Sequence, residues 1–529
     1  MYPTALLRTE VRESLVQSSN TNTISRGLIR GTFMVALNRA VDAIIGLAIV
    51  PFTLHRLGVE AYGLWALLYA ISGYISLADL GFSSSLNRHF TQILNKDDAN
   101  ERKSVFSTAL FIMVAFGTVI FLLSLVLERV ILGFFPAAEA FGAEAVIAYR
   151  CLIAILGLSY VSNYFRSMLV SSQRVDRMAS AQIVLAILNT GMIVFVLESG
   201  WGLAGLAIGS LVVNVIRLTT FATVALLTVS GWQFSFSSVS RSVMDKLWRF
   251  GMTVQTARLA DLVNNQYDRI ILGKLGGLTS VTHYDLGAKG AGSANLLTQI
   301  VIYTIEPAAT ALHTTGSLDK FSRLITRSTK YISFLAVAFA VYLNLAARPL
   351  LTFWLGSPPT ESVVLALRML ILAYIGNTVS LPIRLAARGA GFPKWEARFS
   401  LLQAGMNILL STILFFYFQL IGVLIGTLIA SLLANSLMIR VTLKGLSLQK
   451  WAYFRDGILS PATSALLGGI LAWVVTSWYG VMPLTAARPE ALQYCLVSAI
   501  TFMIGWIAAT LLTRTITLPE IRDLLRQIR

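Results

Sequence analysis

Long, largely apolar runs recur from one end of the chain to the other, Met34–Phe52, Ala109–Leu127, Ile183–Leu197, Ile332–Leu345 and Ile408–Phe418 among them. No other feature restricts the fold as tightly. Hydrocarbon offers a backbone amide no partner, so a chain that enters it must bond to itself, within one helix or around a closed barrel. About twenty residues of helix cross the ~30 Å apolar core. The longer runs approach that length and lack the period-2 alternation of barrel strands, which leaves helices. Composition agrees. Of 529 residues 56% are apolar and 13% charged, where soluble domains carry about 25% charge. The mean hydropathy of +0.72 likewise excludes a water-soluble globule.

The expected fold is an all-α polytopic membrane protein with about fourteen spans. They are predicted near 31–54, 60–80, 104–127, 145–169, 178–197, 202–227, 250–273, 281–310, 330–355, 363–387, 397–418, 420–441, 458–478 and 491–512. A net charge of +17 could suggest nucleic acid, but its distribution points to topology instead. Alternate loops hold the bases: Arg88/Lys96/Arg102/Lys103, Arg174/Arg177, Arg241/Lys246, Lys320/Arg323/Arg327/Lys330, Arg388/Lys394 and Lys444/Lys450/Arg455. The opposite set holds little beyond Arg56, Arg129, Lys274, Arg348 and Arg488. Bases accumulate on the cytoplasmic side, so both termini are expected inside. Residues 1–27 and 514–529 read as cytoplasmic tails, the first with no apolar core or cleavage site of a signal peptide.

The chain is duplicated. Arg150-Cys-Leu-Ile and Arg166 match Arg368-Met-Leu-Ile and Arg384, both 218 residues on (150 to 368, 166 to 384), and Leu57-Gly58 matches Leu275-Gly276 at the same offset. Beyond a short insertion near 391–394 the offset becomes 221. Arg177 and Gln182 then pair with Arg398 and Gln403, and Gly205, Ser210, Leu211 and Asn214 with Gly426, Ser431, Leu432 and Asn435. Six spans per half is an even number, so the halves share one orientation. That predicts two six-helix lobes in a parallel pseudo-twofold repeat, 28–230 and 250–445, with the substrate site where the repeats meet. The amphipathic segment 231–249 between them is expected to lie along the membrane surface. Two extra helices, in 456–513, stand outside the duplication.

Charges inside spans are costly and mark function or pairing. Arg39-x-x-Asp42 in span one has a near-equivalent in Arg258-x-x-Asp261 of span seven. Each pair can neutralise itself on one helix face, or present its arginine to an anionic cargo. Arg150, Arg269, Lys289 and Arg368 are further candidate binding groups, with Lys289 and Asp285 spaced to pair at i, i+4. Asp42, Asp261, Asp268 and Glu306 are candidates for proton or sodium coupling. Cys151, Cys495 and four scattered histidines fit neither a disulfide framework nor a metal site, and no nucleotide-binding, metalloprotease or serine-hydrolase motif occurs. Neither catalytic residues nor a cofactor is expected. A membrane polymerase or ligase needs a sizeable external segment, and every predicted loop is short.

Two stretches carry a resemblance. Pro51-Phe-Thr-Leu-His-Arg-Leu-Gly-Val-Glu-Ala-Tyr-Gly-Leu-Trp-Ala-Leu, followed by Leu77-Ala-Asp-Leu-Gly-Phe-Ser-Ser-Ser-Leu-Asn-Arg, resembles the polysaccharide-biosynthesis (O-antigen-type) flippases, and Asn265-Gln-Tyr-Asp-Arg-Ile-Ile-Leu-Gly-Lys-Leu-Gly is similar to their second-half signature. The superfamily (multidrug/oligosaccharidyl-lipid/polysaccharide exporters) also holds multidrug extruders and lipid II flippases. The resemblance implies alternating access in the bacterial inner membrane. The implied cargo is a polyprenyl-pyrophosphate-linked glycan bound by cationic groups at Arg39, Arg258 and, less directly, Lys289. Membrane lipids and the polysaccharide polymerase and chain-length machinery are the expected partners of a monomer. A lipid II-type cargo and cation extrusion are the alternatives.

Overall fold

The computed structural model describes residues 33–76, 82–94, 96, 98–229, 231–293, 299–479, 487–516 and 520, and these are almost wholly helical. The helices are α1 (Phe33–Leu57), α2 (Val59–Ile75), α3 (Phe82–Leu94), α4 (Ala99–Val126), α5 (Glu128–Gly133), α6 (Pro136–Glu139), α7 (Gly142–Ser171), α8 (Val175–Glu198), α9 (Gly202–Thr228) and α10 (Arg241–Ile271). They continue as α11 (Gly277–Gly292), α12 (Gln299–Thr314), α13 (Leu318–Leu345), α14 (Ala347–Leu355), α15 (Glu361–Val379), α16 (Leu381–Gly389), α17 (Pro393–Gly445), α18 (Lys450–Phe454), α19 (Ser460–Tyr479) and α20 (Arg488–Leu512).

Among the described residues, ten helical segments are long and apolar enough to cross a membrane. The expected fourteen are not all reached by that measure, for stated reasons. Among the described residues α2 has 17 residues and α11 has 16, α12 is described only from Gln299 on, and α10 is long but carries many charges. The predicted span 281–310 takes in most of α11 and α12, and residues 294–298 between them lie outside the described residues. One segment counts twice. At ~1.5 Å per residue a straight α17 of 53 residues would be about 80 Å long. Instead Gln419, at φ 50° and ψ −127°, folds it back on itself. Ser411 Oγ donates to Val423 O at 3.2 Å, and Gly426 faces the Ser411 backbone, so the two arms run antiparallel. The break falls between the predicted spans 397–418 and 420–441.

The described residues form two compact units, one drawn from 1–49, 75–132 and 142–255, the other from 50–74, 133–141 and 256–529. In the first, Phe90 meets Phe106 and Tyr164 edge-on at 5.2 and 5.3 Å. Each such pair adds about 0.5–1.5 kcal/mol beyond area burial. Tyr164 OH accepts from Trp232 Nε1 at 2.9 Å and donates to Phe106 O at 3.2 Å. Backbone amides of Ser235 and Ser240 donate to Ser107 and Thr108 of α4, so residues 231–240 are tied to this unit before α10 begins at Arg241.

In the second unit α13 packs with α19 and α20 around Ala338, Ala465, Ala472 and Phe502. Phe334 stacks on Trp506 with ring centroids 4.4 Å apart. Large apolar side chains such as Val119, Leu122, Ile187 and Ile470 stay more than half exposed, which suits lipid and not water.

Two residues that the sequence pairs at the 221 offset bond alike. Asn214 Nδ2 donates to Ser210 O at 2.8 Å, and its counterpart Asn435 donates to Ser431 O at 2.8 Å. The unbroken α7 corresponds to α15 plus α16. Pro382, which occupies the place of Tyr164 at the 218 offset, interrupts the second copy because it lacks an amide proton.

Close approach defines the α2–α11 contact. A Cβ at Gly63 would run into Leu278 O and lie 2.7 Å from Thr282 Oγ1. Gly63→Ala is therefore expected to cost about 1–3 kcal/mol by overpacking. Gly191, with nothing within 4 Å of its Cβ position, should accept alanine at no cost. Thermal unfolding midpoints in detergent check the contrast.

Candidate functional site

The second unit holds a charged core built on adjacent residues. Asp268 and Arg269 end α10, and successive helical positions point about 100° apart, so the two side chains reach different partners. A wide helical turn, Leu272–Gly276, and Gly277 at φ 78° then redirect the chain into α11. This turn brings residue 284 to 268 and residue 285 to 269.

Asp285 is buried and fully coordinated. Its Oδ1 accepts Arg269 Nε at 2.9 Å and Nη2 at 2.8 Å, and its Oδ2 accepts Tyr62 OH at 2.8 Å and Lys289 Nζ at 3.1 Å. Lys289 also donates to Tyr62 OH at 2.7 Å. Arg269 continues to Asn265 O at 2.6 Å and Gln266 Oε1 at 3.2 Å, and its guanidinium lies over the Tyr284 ring. Two cations share one carboxylate, so the cluster keeps a positive surplus. The exposed partner is Lys289, whose side chain is 40% accessible against 15% for Arg269.

Asp268 sits beside this cluster in a different setting. It is 1% exposed, and its three hydrogen-bond partners are neutral: Tyr284 OH at 2.6 Å, Thr427 Oγ1 at 2.7 Å and Asn407 Nδ2 at 3.1 Å. Ser411 supports Asn407 at 2.9 Å, so α10, α11 and both arms of α17 converge on one carboxyl group.

The structure thus unites Lys289, Arg269 and Asp268 of the sequence-based candidates, and Asp285 pairs with Lys289 as its spacing predicts. Sequence reasoning missed Tyr62, Tyr284, Asn407 and Thr427. Tyr62 does lie in the stretch Pro51–Leu67 that carries the resemblance, but polar residues scattered through apolar spans give no other signal. The remaining candidates stand elsewhere. Asp42 accepts Asn38 Nδ2 at 3.2 Å, and Asn38 reaches Gln182 of α8 at 3.2 Å, near the exposed Arg39. Arg150 is gripped by Glu128 at 2.7 and 3.0 Å. Glu306 meets Arg388 at 3.4 Å, which Glu396 also holds at 2.7 Å. Arg368 borders a surface pocket. The side chains of Arg258 and Asp261 lie outside the described residues, as does Asp79. Among the described residues no three His, Cys, Asp or Glu side chains gather as a metal site would require.

Removing the shared carboxylate strands the buried Arg269 and leaves Lys289 without its counter-ion. Asp285→Asn should destabilise the protein by about 3–5 kcal/mol, as expected for a broken buried ion pair. Tyr62→Phe removes one hydrogen bond to a charged group and should cost about 1.5–3 kcal/mol. Chemical unfolding of the detergent-solubilised variants measures both, and equal losses would mean that Asp285 does not organise the cluster.

A Shigella flexneri protein named as an O-antigen transporter is 21% identical over 431 residues, covering 81% of this chain and 98% of its own length. Among solved structures, the lipid II flippase MurJ in an inward closed conformation superposes with a TM-score of 0.69 at 14% identity, over 91% of this chain and 99% of MurJ. An inward-facing MATE-family multidrug resistance transporter superposes with a TM-score of 0.62 at 17% identity, over 80% of this chain and 98% of its own. These likenesses establish a shared polytopic helical fold. A model of the family described as polysaccharide biosynthesis protein matches residues 54–364, more than half of the chain and inclusive of both Tyr62 and the Asp268–Lys289 core. The chain belongs to the polysaccharide biosynthesis protein family.

Proposed function

We propose that this protein flips a polyprenyl-pyrophosphate-linked oligosaccharide from the cytoplasmic to the periplasmic leaflet of the bacterial inner membrane. The observation that carries the reading is the family match, which joins polysaccharide assembly to a multi-pass helical fold. Such assembly starts from lipid-anchored units made inside, and a polytopic protein without large loops is suited to moving them. The O-antigen transporter named among its relatives fits the same task. The positive surplus at Arg269–Asp285–Lys289 supports an anionic cargo, since exposed Lys289 keeps donor capacity for a phosphate. Arg39 and Arg258 are assigned to the head group because near-equivalent positions in a duplicated chain serve a cargo approached by both halves. The polyprenyl tail stays in lipid, no covalent step is needed, and both termini are cytoplasmic by the alternation of basic loops.

Asp268 is assigned to ion coupling. Proton uptake there needs no new partner. A proton on Oδ2 would donate to Thr427 Oγ1, whose own hydroxyl then turns to Val423 O, already 3.0 Å away. Charge at this buried carboxyl can therefore change while every polar group stays bonded.

Proteoliposome flipping tests the cargo. A polyprenyl-pyrophosphate oligosaccharide should move, whereas an organic cation should not, and lipid II in a parallel arm separates the two glycolipid cargos. Arg258→Ala should reduce transport about 10- to 100-fold at normal membrane abundance, the scale of a lost charge-assisted contact. Arg258→Lys should recover it only in part, because the bidentate fork is gone. Asp268→Asn should transport at a rate indifferent to imposed proton or sodium gradients. Acceleration equal to that of the unmodified protein would remove Asp268 from the coupling step.

A further inference from the structure

The duplication supplies an internal comparison for one arginine. Arg150 of α7 and Arg368 of α15 occupy matching places, each two turns into its helix. In the first unit the guanidinium fork is filled by Glu128, bonded through Nε at 2.7 Å and Nη2 at 3.0 Å. In the second unit Arg368 is exposed and makes no hydrogen bond or ion pair among the described residues. It faces instead a pocket of about 350 Å³ lined by Glu361, Ser362, Phe418, Gln419 and Ile421. Glu361 is held by Arg348, so its charge is compensated and Arg368 leaves the pocket with one positive charge in excess.

The depth of this pocket is marked by its neighbours. Gln419 is the turn of the α17 hairpin, and the residues leading to it, Phe416, Tyr417 and Phe418, are 71%, 76% and 55% exposed. Aromatic side chains displayed at a helix end collect where hydrocarbon gives way to head groups. An arginine at that level, beside an apolar wall of Phe418 and Ile421, meets phosphate above and acyl chain below.

We infer that the Arg368 pocket is a binding site for the phosphodiester head group of a bilayer glycerophospholipid, which takes in the second unit the place that Glu128 takes in the first. A phosphodiester offers two unesterified oxygens on one phosphorus, which matches the guanidinium fork as a carboxylate does. Its single negative charge equals the pocket's excess. The Ser362 hydroxyl and the Gln419 amide are further donors at the rim. The seated lipid closes the hairpin end of α17 against α15, as the Arg150–Glu128 pair ties α7 to α5.

Native mass spectrometry of the protein extracted from a phospholipid bilayer, with the detergent stripped in the gas phase, tests the site. The unmodified protein should retain one glycerophospholipid. Arg368→Gln should lower that occupancy about tenfold, the scale of one charge-assisted hydrogen bond, whereas Arg150→Gln should leave it unchanged. Ser362→Glu, which supplies an internal carboxylate as Glu128 does, should expel the lipid without removing the arginine. It keeps the test decisive if Arg368→Gln fails to fold. Three results would overturn the assignment: wild-type occupancy in Arg368→Gln, displacement of the lipid by millimolar inorganic phosphate, or displacement by a polyprenyl-pyrophosphate oligosaccharide. The last two assign the pocket to free anion and to transported cargo, respectively.

Discussion

Hydrocarbon supplies no hydrogen bonds, and most of this structure follows from that single deficit. Backbone groups bond within helices, and lipid-facing positions are left to Val, Leu and Ile. The driving force between helices is then close packing and polar contact, not the exclusion of water. Hence the approach of α2 to α11 at Gly63 and of the two α17 arms at Gly426. Hence also the many buried serines and threonines that bond back to a carbonyl, of which Ser162, Ser210 and Thr378 are examples. Polar atoms are admitted where their partners are supplied.

The same rule governs charge. Asp285 is tolerated because Arg269, Lys289 and Tyr62 surround it, and those cations are tolerated because of Asp285. Asp268, a residue away from Arg269, has only neutral donors. A carboxylate locked between two cations is structural, since its charge is required by its neighbours. One held by three neutral groups can gain or lose charge without stranding a partner. The two acids are close in space, and the difference between them is in what surrounds each.

Positions that the sequence repeat pairs show one residue type in two settings. The Asn214 and Asn435 contacts are the same in both copies. The α7 helix is continuous, while Pro382 divides its counterpart into α15 and α16. Arg150 has a carboxylate of its own, and Arg368 has a pocket. A repeat under one packing constraint keeps what holds helices together and varies what meets lipid or ligand.

The sequence by itself determined the class of solvent, the helical content, the positions of most helices and the spacing of Lys289 against Asp285. All of these are local or periodic, because hydropathy over about twenty residues and an i, i+4 step need no knowledge of neighbours. The break of α17 at Gln419 was legible for the same reason, as the place where two span-length apolar runs meet. Only tertiary structure decided that Tyr62 joins a cluster more than two hundred residues away in the chain, that Asn407 and Thr427 serve Asp268, and that Arg269 is locked while Arg368 is open. A side chain's partner is set by the rotation of its helix and the helix it faces, and an isolated polar residue in an apolar run encodes neither.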